Sequence, residues 1–193
     1  MKCKVVAITG KIGSGKSAAM EVIRDMGFVT VSCDELAKQV AKDEEVIKAV
    51  QKLLGSNCIK GGQLNRQAIR EIVFYDEELL HQYQELFFEG VKQLLEAQLA
   101  EMKDEQAVFV EIPVLDAFKF NWDEVWCVRS SEKLCVERVA QRDHASAEDV
   151  TAIFQVQKEY RATRIIDNNG DVDDLAVAVT QALADMGLIQ QFN

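Results

Sequence analysis

Apolar residues follow two alternating patterns along the first part of the chain. Residues 4–9 (KVVAIT) form a short, β-branched apolar run that ends at a glycine, which is typical of a buried parallel strand. Residues 16–26 carry apolar side chains at helical spacing, and Gly27 follows as a stop signal. Residues 28–33 (FVTVSC) return to the strand pattern. This order predicts a right-handed βαβ crossover with a glycine-rich first turn.

A long helical pattern follows over residues 35–102, which are rich in Leu, Ala, Glu, Gln and Lys. Its one clear interruption lies at residues 55–63, where Gly61 and Gly62 indicate a turn. The stretch is too long for a plain crossover between two strands. We therefore expect residues 35–103 to form a mostly helical subdomain.

Three further strands are predicted at residues 107–112 (AVFVEI), 124–128 (EVWCV) and 164–167 (RIID). Helical patterns cover residues 131–143 and 171–186. The prediction is an α/β fold with a parallel five-stranded sheet flanked by helices. We expect one domain over 1–193, with residues 1–34 and 104–193 as its core.

Composition narrows the class of protein. The 193 residues are 48% hydrophobic and 28% charged with one proline, as in ordinary globular proteins, and the net charge of −10 argues against nucleic acid as a partner. No targeting segment or bilayer-spanning run is recognisable, so we expect a cytoplasmic protein without a membrane partner. The five cysteines include no C-x-x-C pair and are odd in number, which favours neither a disulfide framework nor a zinc site.

Residues 10–17 (GKIGSGKS) match G-x-x-x-x-G-K-[ST] in full, between a predicted strand and a predicted helix. Glycines let the backbone N–H groups of such a loop approach phosphate oxygens, and the following helix adds its positive end. Lys16 would place a cation on the β and γ phosphates of ATP, and the Ser17 hydroxyl would bind Mg²⁺. The predicted nucleotide-binding residues are Thr9, Gly10, Lys11, Ile12, Gly13, Ser14, Gly15, Lys16, Ser17, Ala18 and Asn169.

Two carboxylates follow predicted strands. Asp34 would lie at the carboxyl end of the strand beside the phosphate-loop strand, where a kinase needs a base for the acceptor hydroxyl. It would equally serve as the N-cap of the next helix. Glu111 lies within an apolar run, where a charge is costly unless it meets a metal or a hydrogen-bond network. It would act with Ser17 on Mg²⁺, or be a surface carboxylate on an edge strand.

Arg138 and Arg142 share one face of a predicted helix, and guanidinium groups commonly neutralise a phosphoryl group in transfer. That helix would then be a lid. The alternative is a solvated face with Arg138 paired to Glu137 or Glu132. The Asn168-Asn169-Gly170 turn would border the adenine or be a plain turn.

The order of these motifs resembles the dephospho-CoA kinase family over nearly the whole chain. The segments that carry the likeness are ITGKIGSGKS, VSCDELAKQV, GGQLNRQAIREIVF, EIPVL, VERVAQRD and IIDNNGDVDDL. The resemblance implies a P-loop NTPase-type fold with a helical acceptor-binding insertion and a lid helix. It also implies ATP and Mg²⁺, with dephospho-coenzyme A as the small-molecule substrate, phosphorylated at its ribose 3′-hydroxyl, in a monomer or small homo-oligomer.

The resemblance also implies residue roles. The catalytic set is Asp34, Lys16, Arg138 and Arg142, the substrate set is Asp34, Leu64, Arg66 and Pro113, and the metal set is Ser17 and Glu111. The chain departs from the family pattern on the acceptor side, at Ser32, Phe88, Glu89, Asp116 and Ala117. Two other functions stay open at this point: another P-loop kinase of nucleosides or nucleotides, and a nucleotide-binding homologue without catalysis.

Overall fold

The computed structural model describes residues 3–73 and 76–190. Phe74, the last residue of the predicted GGQLNRQAIREIVF motif, therefore lies outside the described residues, as do the two ends of the predicted 1–193 domain. The strands are β1 (Lys4–Thr9), β2 (Val29–Ser32), β3 (Ile59–Lys60), β4 (Gln63–Leu64), β5 (Ala107–Glu111), β6 (Glu124–Arg129) and β7 (Arg164–Asp167). The helices are α1 (Lys16–Asp25), α2 (Cys33–Val40), α3 (Glu44–Leu54), α4 (Arg66–Val73), α5 (Glu77–Glu101), α6 (Glu132–Asp143), α7 (Ala147–Val156) and α8 (Val172–Asp185).

Five strands form one sheet in the order β2-β5-β1-β6-β7, and β1 pairs in parallel with both β5 and β6. The predicted parallel five-stranded sheet with flanking helices is thus confirmed. The register places Ile8 opposite Glu111 and Thr9 opposite Cys127. The carboxyl ends of β1, β5 and β6 therefore meet at one edge of the sheet, around the loop that follows β1.

The strand order corrects two expectations. The strand before Asp34, β2, lies at the edge of the sheet, because β5 is inserted between β2 and β1. Glu111 consequently ends an interior strand, so its interpretation as an edge-strand carboxylate is wrong. Burial explains the order: the first four residues of β5 are at most 1% exposed, whereas β2 has one buried residue among four. A strand that is apolar on both faces belongs in the interior of a parallel sheet.

The chain divides into two compact units. The first comprises residues 1–31, 102–115 and 120–193, and its core lies between the sheet and helices α1 and α8. Phe109 and Trp126, on neighbours of β1, are both fully buried, with ring centroids 5.3 Å apart. This core fixes the strands whose ends carry the candidate site.

The second unit comprises residues 32–101 and 116–119. It contains helices α2 to α5 and the antiparallel hairpin β3–β4, in which Lys60 pairs with Gln63. Gly61 and Gly62 form the two-residue turn with φ of 60° and 77°, the combination required by a type I′ hairpin turn. The predicted turn is therefore confirmed, and its strands are short enough to have escaped the strand pattern.

One helix was not predicted. Helix α7 follows α6 closely, and Ser146 begins it by accepting a hydrogen bond from the Asp149 amide. The segment S-A-E-D carries a helix-start signal, a capping hydroxyl followed by acidic residues. Only Val150 is buried in α7, so the apolar periodicity was weak. No helix in the described part of the chain is long and apolar enough to cross a membrane.

Candidate active site

The loop between β1 and α1 is closely packed against other elements of the first unit. Gly13 has φ of 75°, and a Cβ atom built there would lie 2.4 Å from the carbonyl oxygen of Cys135 on α6. Gly15, the N-cap of α1, has φ of 97°, and a Cβ there would lie 2.0 Å from the side-chain nitrogen Nδ2 of Asn168. Both positions thus require glycine for conformation and for space. The loop is fixed against elements that are distant in sequence.

The Lys16 side chain is held over this loop. Its Nζ donates hydrogen bonds to the carbonyl oxygens of Gly10 at 2.8 Å and Lys11 at 3.2 Å. The ammonium group is therefore positioned by the loop backbone, next to the positive end of α1. A cation and a helix N-terminus beside each other form a strong site for an anion such as phosphate.

The two predicted metal residues lie close together. Ser17 Oγ donates a hydrogen bond to Glu111 Oε1 at 3.3 Å. Ser17 is in the first turn of α1 and Glu111 ends β5, so the pair joins the phosphate loop to the interior strand. Two ligands on adjacent corners of a Mg²⁺ octahedron, with metal–oxygen distances of about 2.1 Å, lie about 3 Å apart. The donor set and its spacing fit this ion.

A buried polar network supports the inner side of the loop. The carbonyl oxygen of Ser14 accepts a hydrogen bond from Asn168 Nδ2 at 2.8 Å and lies 3.1 Å from Ser130 Oγ. Ser130 and Asn168 follow β6 and β7 and are 7% and 6% exposed. Sequence reasoning missed Ser130, and it proposed Asn168 as a neighbour of the adenine or part of a plain turn, not as a support of the phosphate loop. A polar residue directly after a buried strand was the available signal.

Arg138 belongs to the same network. Its Nη1 donates to Ser130 Oγ at 2.9 Å and its Nη2 to the carbonyl oxygen of Asn168 at 3.2 Å. The alternative in which Arg138 is paired with Glu137 or Glu132 on a solvated face is therefore wrong. Arg138 connects α6 to the residues that hold the phosphate loop.

Arg142 is placed differently. Its side chain is exposed and donates two hydrogen bonds, both 2.7 Å long, to the carboxylate of Asp143, the last residue of α6. This hydrogen bonding raises the pKa of the Arg142 guanidinium above its usual range. The structure therefore does not group Arg142 with Arg138.

Asn169 forms a connecting turn. Its Oδ1 accepts from the Ser131 amide at 2.8 Å, and its Nδ2 donates to Asp167 at 2.9 Å. The end of β7 is thereby tied to the start of α6. Its predicted contact with adenine stays a prediction.

A cavity of about 250 Å³ lies against the loop within the first unit. Two hydroxyls in its wall, Thr9 Oγ1 and Ser14 Oγ, are buried and have no hydrogen-bond partner among the described residues. Cys127 and Cys135 also line it, and burial raises the pKa of both thiols. These thiols are therefore uncharged near neutral pH, and the cations of the site face no thiolate.

The outer side of the loop meets the end of α7 and the residues after it. The Ile12 amide donates to Gln157 Oε1 at 2.7 Å. The Lys11 ammonium lies 4.4 Å from the ring centroid of Phe154 and 3.9 Å from Glu159 Oε1. Gln157, Phe154 and Glu159 were also absent from the sequence prediction, because α7 itself was.

Comparison with known proteins identifies the family. The family model for dephospho-CoA kinase matches residues 4–174. The chain belongs to the dephospho-CoA kinase family.

Relatives over the full length agree. Dephospho-CoA kinase of Staphylococcus epidermidis is 31% identical, with 97% of each chain covered, and that of Streptococcus thermophilus is 30% identical, covering 94% of this chain and 98% of the relative. The solved structure of TT1252 from Thermus thermophilus has a TM-score of 0.81 at 29% identity, covering 96% of this chain and 99% of that one. The predicted family and ATP-dependent kinase activity are thereby confirmed.

The residues predicted to bind the acceptor lie mostly in the second unit. Asp34 is exposed and is the second residue of α2, whose N-cap is Ser32, so the interpretation of Asp34 as an N-cap is wrong. Arg66 is exposed at the start of α4. Leu64 is half-buried against a cluster that includes Ile69, which gives it a packing role. Pro113, in the first unit, is half-buried just after β5. Their contacts with substrate stay predictions.

Proposed function

We propose that this kinase transfers the γ-phosphoryl group of ATP to the ribose 3′-hydroxyl of dephospho-coenzyme A. The observation that carries the proposal is the arrangement around α1, where Lys16 is held over the phosphate loop and Ser17 lies 3.3 Å from Glu111. This arrangement offers a cation, a helix N-terminus and an oxygen pair for a metal. The family relationship supplies the acceptor.

The loop residues bind the triphosphate in this proposal. Lys16 neutralises the β and γ phosphates, and the glycine-shaped backbone directs N–H groups toward phosphate oxygens. Ser17 and Glu111 hold Mg²⁺, which when bound reduces the charge on the β and γ oxygens. These residues position the γ-phosphoryl group, and positioning with charge neutralisation accounts for most catalysis of phosphoryl transfer.

Asp34 accepts the proton of the 3′-hydroxyl. Its carboxylate is exposed in the first turn of α2, directly after the carboxyl end of β2, and the carboxyl ends of strands are where open α/β sheets bind their ligands. As the hydroxyl oxygen bonds to the γ-phosphorus, the bond to the β–γ bridging oxygen breaks, ADP leaves, and the proton goes to Asp34. Loss of the carboxylate removes this step without changing the phosphate loop.

Arg138 and Arg142 stabilise the charge on the phosphoryl group during transfer. A guanidinium has five N–H donors, and the two Arg138 contacts to Ser130 and Asn168 engage only part of them. The remaining donors of Arg138 can bind phosphate while the first two keep its position. Arg142 would have to exchange its contacts with Asp143 for phosphate.

The decisive experiment compares Asp34→Asn with wild type, using ADP formation from ATP, Mg²⁺ and dephospho-coenzyme A. We expect kcat to fall roughly 10²- to 10⁴-fold, as on loss of a general base, while the ATP dissociation constant measured by calorimetry stays unchanged. Glu35→Gln is the matched control, since Glu35 is the adjacent exposed acid and pairs with Lys38, three residues along α2. An unaltered kcat in Asp34→Asn would show that Asp34 is not the base of the reaction.

Wild-type acceptor specificity tests the reaction itself. We expect the wild-type protein to phosphorylate dephospho-coenzyme A and not to phosphorylate nucleosides or nucleoside monophosphates. Turnover with a nucleoside or nucleotide alone would favour another P-loop kinase. ATP binding with no turnover on any of these acceptors would identify a homologue without catalysis.

A further inference from the structure

Three residues near the end of α7 hold one part of the phosphate loop. We call residues 154–159 the clamp segment and the pair Lys11–Ile12 the outer limb of the loop. Gln157 accepts the Ile12 amide hydrogen at 2.7 Å, while Phe154 and Glu159 contact the Lys11 ammonium at 4.4 Å and 3.9 Å. The backbone and the side chain of the outer limb are thus both engaged by the clamp segment.

The outer limb is also held from its carbonyl side. Lys16 Nζ donates to the carbonyl oxygens of Gly10 and Lys11, and the Lys11 carbonyl accepts the Ser14 amide at 3.2 Å. If the Gln157 contact is removed, the Ile12 amide loses its acceptor, while the Gly10 and Lys11 carbonyl oxygens keep their donors. The peptide between Lys11 and Ile12 could then rotate, and rotation would move the carbonyl that positions Lys16.

The chemistry of the Gln157 side chain fits this role. A backbone N–H in the loop needs an acceptor oxygen, and an amide provides one without charge. A carboxylate at the same place would accept the same hydrogen bond but would set a negative charge beside a site for a triphosphate. A neutral acceptor therefore holds the outer limb without opposing the nucleotide.

We propose that Gln157 is a positioning residue for ATP, which acts through Ile12 and Lys11 on the carbonyl that holds Lys16. The inference rests on the proposed binding of ATP at the phosphate loop. It predicts that loss of Gln157 weakens ATP binding, while the acceptor side and the rate of the bound complex change little.

Steady-state kinetics of Gln157→Ala test the proposal. We expect the KM for ATP to rise roughly two- to tenfold, the effect of one net hydrogen bond, with kcat and the KM for dephospho-coenzyme A within about twofold of wild type. Gln155→Ala is the matched control, because Gln155 lies two residues earlier, is exposed and donates a side-chain hydrogen bond to Glu132 at 3.5 Å. It should leave all three constants unchanged.

Gln157→Glu separates a positioning role from a purely structural one. It keeps an acceptor for Ile12 and adds a charge, so its KM for ATP relative to wild type should be raised at low ionic strength. The ratio should approach one as salt is raised from about 0.02 to about 0.2 M, because the Debye length falls across that range. The corresponding ratio for Gln157→Ala should not depend on salt.

Three outcomes would overturn the inference. A lower KM for ATP in Gln157→Ala would mean that Gln157 competes with phosphate rather than supporting its site. A fall in kcat with both KM values unchanged would place Gln157 in the transfer step. Equal changes in Gln155→Ala and Gln157→Ala would indicate general destabilisation of α7.

Calorimetric titration with ATP keeps this test separate from the proposed function. If wild type binds ATP but phosphorylates no acceptor, the assigned reaction fails while the dissociation constants of the Gln157 variants still decide the inference. If those constants match wild type, the inference fails whatever the acceptor.

Discussion

Two glycines in this protein have similar φ angles and very different surroundings. Gly13 in the phosphate loop has φ of 75°, and Gly61 in the β3–β4 hairpin has φ of 60°. A Cβ at Gly13 would collide with the backbone of Cys135 at 2.4 Å, whereas a Cβ at Gly61 would meet nothing within 4 Å. The hairpin needs glycine only for its own backbone. The phosphate loop needs it for its backbone and also because distant elements pack against the loop and fix its shape.

The largest effect is expected for Gly13→Ala. Backbone atoms of Cys135 cannot move away as a flexible side chain can, so either the loop or α6 must shift. We expect ATP affinity, measured by calorimetry, to fall at least about 100-fold, since a misplacement near 1 Å can have an effect of that size. An affinity within a factor of two of wild type would show that the loop is not fixed by α6.

An intermediate effect is expected for Asn168→Ala. The substitution removes the hydrogen bond to the Ser14 carbonyl, and the Ser130 hydroxyl 3.1 Å from that oxygen lies closer, at 2.6 Å, to the carbonyl oxygen of residue 168. Because the site is buried, we expect an unfolding free energy lower by about 1–3 kcal/mol and a roughly tenfold higher KM for ATP. Asn57→Ala, at an exposed position of the second unit, is the control for the loss of an asparagine side chain. Unaltered ATP kinetics in Asn168→Ala would show that ATP binding does not depend on the Asn168 hydrogen bond to the phosphate loop.

The smallest effect is expected for Gly61→Ala. An L-residue in the left-handed region costs about 1–2 kcal/mol, and no steric collision is added. For a chain of this size the melting temperature should fall by a few degrees, about 2–4 °C per kcal/mol, while the KM for ATP stays at the wild-type value. A fall in ATP affinity as large as that of Gly13→Ala would erase the distinction between the two turns.

The sequence predicted those parts of the fold and site that are encoded by residues close together in the chain. The phosphate loop, the five strands of the main sheet and the bounds of α1, α6 and α8 follow from apolar spacing and the glycine pattern. Ser17 and Glu111, the predicted metal residues, lie close together. Strand order could not be predicted in this way, because it depends on which strand is buried on both faces. The expected adjacency of β2 and β1 was wrong for that reason.

The supporting residues of the loop escaped prediction for a related reason. Asn168 and Ser130 reach Ser14 from sequence distances of 154 and 116 residues, and Gln157 reaches Ile12 from 145. No short motif encodes such contacts. Arg138 was selected for its charge, but its contacts with Ser130 and Asn168 became known only from the structure.

The place of β5 in the sheet has a consequence for how such enzymes diversify. The chain leaves the sheet after β2 and returns as β5, its immediate neighbour, so the excursion of some seventy residues begins and ends on adjacent strands. Insertions, deletions or wholesale replacement there leave the pairing of β1 with β6, and hence the nucleotide end, untouched. A lineage can thus exchange the inserted module while inheriting the phosphate loop intact.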